Sequence, residues 1–181
     1  MTTKEKASAK QPTTVSPKQL ATVTDLKPEE VQNITNAVNP LIADAFALYV
    51  KTKNFHWHLS GSHFRDYHLL LDEQADAIFA SIDVMAERVR RIGGTTIRSI
   101  SNISNLQTIQ DDNDDFVTAG AMMNRLMQDN AHIAKSIRAA IETAEDCHDP
   151  ATANELEAIL DETERRKWFL FEIVQGEKNT D

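Results

Sequence analysis

The sequence predicts an all-α protein, a bundle of four long helices with a short extra helix in the connection between the second and the third. Three observations support this prediction. Only five glycines and five prolines occur in 181 residues, apolar residues recur at alternating steps of three and four, and the alternating pattern of strands is rare. With 41% hydrophobic residues, the chain can form one compact domain with a sizeable core.

The first two helices follow from apolar seams that a helix would place on one face. The first helix is predicted over residues 28–59, with a kink or break at Pro40, because proline removes a backbone donor and clashes with the preceding turn. The second begins near Phe64 and ends at Gly93 and Gly94, a typical helix stop. The first seam comprises Val31, Ile34, Val38, Leu41, Ala45, Leu48, Thr52 and Phe55.

The third and fourth helices follow a long polar connection, residues 95–115, in which four apolar residues favour a short helix: Ile97, Ile100, Ile103 and Leu106. The aspartates at 111, 112, 114 and 115 are predicted to lie at the N-terminus of the third helix, where acids interact favourably with the helix dipole. Its seam begins at Phe116. The fourth helix starts at Asp149-Pro150, and its seam includes Phe171. A connection this long favours a crossover bundle over a simple up-and-down bundle.

Charge is divided unevenly along the chain. The first twenty residues contain one glutamate against four lysines, a net of +3, which leaves −12 for the rest of the −9 chain; the lysines are Lys4, Lys6, Lys10 and Lys18. We therefore divide the chain into a flexible lysine-containing tail, residues 1–24, and a helical domain, residues 25–181. Such a tail can contact DNA phosphates without reading bases, or it can fold back onto the acidic body.

The expected compartment is the cytoplasm. Cys147 is the one cysteine, so no internal disulfide can form and nothing requires an oxidising compartment. The first residues lack the apolar core of a signal peptide. The longest apolar run, residues 41–50, is interrupted by Asp44 and is too short to span a bilayer. We therefore expect no membrane partner.

Histidines and carboxylates concentrate in the first two helices. Four of the six histidines lie within thirteen residues: His56, His58, His63 and His68. Asp72, Asp83 and Glu87 follow on the second helix, and imidazole with carboxylate is a ligand set that suits iron, zinc or manganese. At about 100° per residue, His68 and these three carboxylates share one helix face. His58 and His63 are either surface residues or an auxiliary metal site, and His132 is expected to be structural.

The four positions on the second helix cannot hold one ion within one chain. Asp72 and Asp83 are about 16 Å apart along the helix axis, because each residue rises about 1.5 Å. They are, however, symmetric about a point between residues 77 and 78, where His68 mirrors Glu87 and Asp72 mirrors Asp83. Two antiparallel copies that cross at this point would form two mixed sites in an isologous dimer.

Three segments closely resemble the Dps family of ferritin-like proteins: residues 51–58 (KTKNFHWH), 64–73 (FRDYHLLLDE) and 83–88 (DVMAER). The resemblance covers residues 28–175. It implies a ferritin-like four-helix bundle that assembles into a homo-dodecamer from two-fold dimers. It also implies a ferroxidase and iron-storage function, in which Fe²⁺ is oxidised, preferably with hydrogen peroxide, and the ferric oxide is stored in the shell, so that DNA is protected from oxidative damage.

The resemblance also implies site residues. The family's iron ligands map onto a set that agrees with the symmetric spacing: His56, His68 and Asp72 of one subunit with Asp83 and Glu87 of its partner. Trp57 is the family's candidate for trapping oxidising equivalents, or else it is an aromatic core residue. Three acids near the last connection are candidates for iron-entry pores, or else are caps and surface charge: Asp146, Asp149 and Glu155.

Two other functions are compatible with parts of the sequence. A maxi-ferritin or bacterioferritin would place two Glu-x-x-His motifs in the core of one bundle. This chain has one, residues 145–148 (EDCH), beside a predicted helix end. The other alternative is an architectural DNA-binding protein with little ferroxidase activity, in which the lysine tail acts and the metal face is vestigial.

Overall fold

The computed structural model describes residues 20–178. This part of the chain consists of five helices and contains no strand: α1 Pro28–His58, α2 Phe64–Arg91, α3 Ile100–Leu106, α4 Ala119–Asp146 and α5 Pro150–Lys178. The all-α prediction is confirmed, including the short helix in the crossover. None of these helices has an apolar stretch long enough to cross a membrane. The lysines of the predicted tail lie outside the described residues.

The four long helices enclose one apolar core. α1 packs against α2 and α4, α5 packs against α4 and α2, and α3 lies against α1. The predicted seams of α1, α2 and α4 point inward, with Phe55, Leu71 and Leu126 fully buried. Burying large side chains of this kind contributes about 1.5–3 kcal/mol each, so the core stabilises the long helices together.

α1 continues through Pro40 without a break. The residues that follow the proline, Leu41 and Ile42, are buried in the core. The side-chain amide of Asn39 donates to the carbonyl of Thr95 at 2.9 Å, which ties this turn to the crossover. Tertiary packing on both sides therefore offsets the hydrogen bond that the proline removes.

α4 begins later than the sequence predicted. Its N-cap is Thr118, whose hydroxyl accepts a hydrogen bond from the backbone of Ala121. The four aspartates therefore precede the helix, and Arg125 reaches back to two of them, Asp112 at 2.6 Å and Asp114 at 2.8 Å. Phe116 is 72% exposed, so its assignment to the buried seam was wrong because the helix starts after it. Phe171 of α5 is likewise exposed in the single chain.

The turn from α4 to α5 places the Glu-x-x-His motif outside the core. His148 has a φ of 57°, the left-handed conformation that ends many helices. The backbone of Asp149 donates to Ala144 at 2.9 Å, and the backbone of His148 donates to Glu145 at 2.9 Å. Glu145 and His148 are both exposed at this helix end, so they do not project into the bundle.

Arg90 holds the segment that leads into α1. Its guanidinium donates to the carbonyl of Leu20 at 2.6 Å, and the hydroxyl of Thr22 donates to the carbonyl of Arg90 at 3.0 Å. Residues 20–22 therefore lie against the C-terminal end of α2.

Candidate metal centre

The end of α1 and the start of α2 bring His56 and His68 face to face. Their ring centroids are 3.7 Å apart, with 18° between the planes. Nδ1 of His56 is 2.9 Å from the carbonyl oxygen of His68, and Nδ1 of His68 is 3.1 Å from the carbonyl oxygen of His56. Because a carbonyl oxygen only accepts, both Nδ1 atoms must carry the proton. In the neutral form of each imidazole, the Nε2 lone pair is then available to a metal ion.

The connection between the helices explains this pairing. Gly61 has a φ of 119°, a conformation that side chains with a Cβ rarely adopt, and it reverses the chain after α1. The first turn of α2 then lies against the last turn of α1. Phe64 stacks on the His68 ring at 5.0 Å, while His56 is buried. Both imidazoles are therefore held by packing as well as by hydrogen bonds.

Asp72 adds a carboxylate to this pair. It lies one helical turn beyond His68, and its Oδ1 is 3.9 Å from Nε2 of His56, a separation that one ion about 2 Å from each atom could bridge. The same oxygen is hydrogen-bonded to the ammonium of Lys53. That hydrogen bond lowers the pKa of Asp72 and raises the pKa of Lys53. A cation of the chain itself is therefore paired with this carboxylate.

Asp83 and Glu87 lie farther along α2 and are exposed. At about 1.5 Å per residue, Asp83 is about 16 Å from Asp72 along the axis. Within the described part of one chain, no three metal-ligating groups come together around a single ion. We refer to His56, His68 and Asp72 as the histidine half-site and to Asp83 and Glu87 as the carboxylate half-site.

An apolar surface lies beside the carboxylate half-site. Phe79 packs at 5.1 Å against Tyr49 yet remains exposed, as do Val84 and Ile100. A groove of about 650 Å³ runs along this surface and includes Asp83 in its lining. Contiguous exposed apolar surface of this kind is typical of an interaction site.

The other predicted residues lie apart from the half-sites. Trp57 is 64% exposed, so it is not a core residue of the single chain. His58 bonds the carbonyl of Asn54 through Nδ1 at 2.8 Å, and His63 lies 5.5 Å from the ring of Tyr67. His132 lies 2.7 Å from the hydroxyl of Thr108, a contact that suits its expected structural role.

Two of the three candidate pore acids already have arginine partners. Asp149 is buried and accepts hydrogen bonds from Arg88 at 2.6 Å and from the backbone of Thr152 at 3.2 Å. Burial raises the pKa of Asp149, but these hydrogen bonds outweigh burial and lower it overall. Glu155 pairs with Arg91 at 2.8 Å. Asp146 is exposed at the end of α4, and its pore role stays a prediction.

Sequence reasoning missed three cations: Lys53, Arg91 and Arg166. Arg91 follows Glu87 by four residues, a spacing that brings side chains together on a helix, so it could have been found. Lys53 precedes His56 by three residues, but its partner is on another helix. Arg166 gave no signal, because nothing in the pattern of α5 indicates that its guanidinium is buried.

Comparisons with known proteins agree with this fold. Residues 35–179 match the family model of the ferritin-like domain. A low temperature-induced protein of Nostoc sp. is 32% identical over 153 residues, 84% of this chain and 86% of its own length. The DNA protection during starvation protein of Brevibacillus brevis is 30% identical over 139 residues, 77% of this chain and 93% of its own length. The crystal structure of a Dps protein from Bacillus brevis is 28% identical, with a TM-score of 0.78 and coverage of 82% of this chain and 99% of that chain.

The helix order, the crossover helix and the matched domain define a ferritin-like bundle. Within this class, the chain belongs to the Dps family. The predicted membership of that family is thereby confirmed.

Proposed function

We propose that the protein is a ferroxidase and iron-storage protein whose sites form between two copies of the chain. The observation that supports this most directly is the pair of half-sites, one at the junction of α1 and α2 and the other farther along α2. The histidine half-site presents two Nε2 atoms and one carboxylate, and on α2 its residues His68 and Asp72 are mirrored by Glu87 and Asp83 of the carboxylate half-site. An antiparallel partner would supply Asp83 and Glu87 to His56, His68 and Asp72 of the first chain.

The residues would act in a simple order. Fe²⁺ replaces the Lys53 ammonium beside Asp72 and binds the free Nε2 atoms, while the partner's carboxylates complete the ligand set. The negative charge of the partner's two carboxylates favours the ferric state of the ion over the ferrous state. Hydrogen peroxide takes up two electrons and two protons as its O–O bond breaks, which gives two water molecules. Two ferrous ions that share the interfacial ligand set would supply one electron each and solvent the protons, so no one-electron cleavage to a hydroxyl radical is required.

Assembly follows from the same surface. The apolar groove beside Asp83 and the exposed Phe79 would be covered when α2 of one copy crosses α2 of another. We propose that such two-fold dimers build a dodecameric shell that stores the ferric oxide. The net charge of −12 outside the first twenty residues attracts cations toward the body of the protein.

The decisive experiment mixes two inactive variants, His68→Ala and Glu87→Ala. In a mixed dimer, one site carries both changes, while the other receives an intact His68 and an intact Glu87. After equal mixing, denaturation and refolding, about half of the dimers are mixed and about a quarter of all sites recover. The initial rate of Fe²⁺ oxidation is measured with dodecamer yield matched.

Each variant refolded alone is the control. Sites confined to single subunits would recover no activity, so a rate equal to the controls despite proven subunit mixing would exclude the interfacial site. Wild-type protein that leaves the uncatalysed rate of iron oxidation unchanged would instead favour the alternative function, an architectural DNA-binding protein.

We also propose that the chain protects DNA by binding it, as the names of its relatives suggest for those proteins. The net charge of +3 in the first twenty residues favours contact with DNA phosphates, for which the acidic body of the protein competes. Replacing Lys4, Lys6, Lys10 and Lys18 with glutamine should remove salt-sensitive, sequence-independent binding in a gel-shift assay and leave iron oxidation unchanged. Equal DNA retention by the variant and the wild type would contradict a role of the tail.

A further inference from the structure

Arg91 connects two acidic residues on different helices. Its guanidinium donates to Oε2 of Glu87 at 2.8 Å and to Oε1 of Glu155 at 2.8 Å. Glu87 belongs to the carboxylate half-site on α2, whereas Glu155 lies on α5. One side chain therefore ties a proposed metal ligand to a neighbouring helix of the same bundle.

The contact with Glu155 distinguishes Arg91 from an ordinary surface residue. Arg91 is 51% exposed and Glu87 is 58% exposed, and an isolated ion pair at such exposure contributes little and leaves both side chains free to rotate. Glu155 is less exposed, and its Oε2 is buried without a hydrogen-bond partner among the described residues. The bond from α5 therefore fixes the guanidinium and, through it, one oxygen of Glu87.

We propose that Arg91 is a positioning residue for Glu87: anchored by Glu155, it holds Oε2 and leaves Oε1 directed to the metal ion at the dimer interface. This inference rests on the proposed function, because it requires Glu87 to be a ligand. Hydrogen-bonded partners of metal ligands fix ligand orientation, and their loss typically weakens metal binding or activity about 10- to 100-fold. It also gives Glu155 a role other than lining an entry pore.

The direction in which the affinity for a metal ion changes shows whether Arg91 positions Glu87 or competes with the metal ion for it. If Arg91 positions Glu87, Arg91→Gln weakens binding of Co²⁺ and raises the KM for Fe²⁺ about tenfold, while kcat changes little. If Arg91 only competes with the metal for the carboxylate, the same change removes a repelling charge and tightens binding. Binding of Co²⁺ to the assembled protein, measured by titration calorimetry, gives a readout independent of iron oxidation.

Three further variants test the anchoring. Glu155→Gln should weaken Co²⁺ binding in the same direction, and the double variant should be no weaker than Arg91→Gln alone, because Glu155 acts through Arg91. Arg91→Lys should restore little, since one ammonium cannot bridge both carboxylates in the bidentate manner of a guanidinium. Full restoration by lysine, or additive losses in the double variant, would overturn the proposal.

A matched ion pair provides the control. Arg138 pairs with Glu164 between α4 and α5, and the two side chains are 50% and 41% exposed. Arg138→Gln should leave Co²⁺ affinity and KM unchanged in an assembled protein. Glu87→Ala distinguishes the interfacial metal site from the positioning role of Arg91. If this variant binds Co²⁺ like the wild type, the interfacial site itself is wrong. If it loses binding while Arg91→Gln does not, only the positioning role is wrong.

Discussion

The centre of the bundle and the outer face of α2 differ in how they accommodate charge. At the centre, Arg166 is only 4% exposed. It donates to Asn130 at 3.2 Å and to Thr163 at 2.8 Å, which are both neutral acceptors. The outer face of α2 presents Asp72, Asp83 and Glu87, whose side chains are partly exposed or exposed.

This difference supports the proposed position of the metal ion on the outer face of α2. Ferritin-like proteins with a di-iron site inside one bundle direct carboxylates and Glu-x-x-His motifs into its centre. Here all four long helices instead line a cavity of about 10 Å³ beside Arg166, room for a single water molecule. Burial lowers the pKa of Arg166 to about 10, so the group remains positive at neutral pH and repels a metal cation. In the proposed function, metal binding therefore requires the interface between two chains, whereas the core is formed by the residues of one chain.

The largest expected effect is on stability, and it comes from replacing Arg166 at the centre of the bundle while the outer face of α2 is left unchanged. Arg166→Ala should destabilise the protein by about 3 kcal/mol, because it leaves a cavity and removes the donors to Asn130 and Thr163. Arg166→Met fills the space and removes a buried charge, so it should cost only about 1–2 kcal/mol. Urea denaturation at matched protein concentration measures both variants, since assembly makes stability concentration-dependent.

Iron oxidation per assembled shell should be unchanged in both Arg166 variants. A rate that falls in proportion to stability would show that the centre and the outer face are not separable. An Arg166→Ala variant as stable as the wild type would show that the buried guanidinium contributes nothing to the fold.

The fold was largely predictable because its signals are local. Phe64 at the start of α2 and Gly93 beyond its end were located from apolar spacing and from glycine as a helix stop. The start of α4 was missed because two N-terminal signals compete there. Four aspartates precede the helix, but Thr118 caps it. Two of the aspartates, Asp112 and Asp114, are instead bound by Arg125, which lies 13 and 11 residues later in the chain.

The candidate site was predictable only in part. His68 and Asp72 are four residues apart on one helix, a spacing that predicts a shared face, and the structure places both beside His56. The cations around them were not predicted. Lys53 reaches Asp72 across two helices and Arg91 reaches Glu155 on a third, and these contacts depend on helix packing that no local pattern encodes.

A smaller effect is expected from Lys53→Met, which removes the cation beside the histidine half-site. At neutral pH, Co²⁺ should bind about two- to fivefold more tightly, because the partly exposed ion pair of Lys53 with Asp72 no longer competes for the carboxylate. The hydrogen bond from Lys53 lowers the pKa of Asp72, so its loss raises that pKa toward the ordinary value. Binding by the variant should therefore fail at a higher pH on acidification than binding by the wild type.

The same pair has a consequence for stability. A carboxylate with a lowered pKa stabilises the folded state above its unfolded pKa, and this contribution is lost as the pH falls through the folded pKa. Lys53→Met should lack that acid-range dependence. Lys27→Met, which removes an exposed lysine paired with Glu30, is the control and should leave Co²⁺ binding unchanged at every pH. Weaker binding by Lys53→Met at neutral pH would mean that Lys53 orients Asp72 rather than competing for it.

The smallest effect on rate is expected from Trp57→Phe. The resemblance to the Dps family implies that Trp57, which is exposed and directly follows His56, donates an electron when peroxide meets a site that holds too little Fe²⁺. The variant should keep the oxidation rate and, as an exposed substitution, a stability within about 0.5 kcal/mol. After peroxide is added in excess over Fe²⁺, electron paramagnetic resonance should detect a tryptophan radical in the wild type but not in Trp57→Phe.

The other tryptophan of the chain, Trp168, is 57% exposed on α5, and Trp168→Phe should retain the signal. A signal that remains in Trp57→Phe and disappears in Trp168→Phe would show that Trp168, and not Trp57, carries the radical.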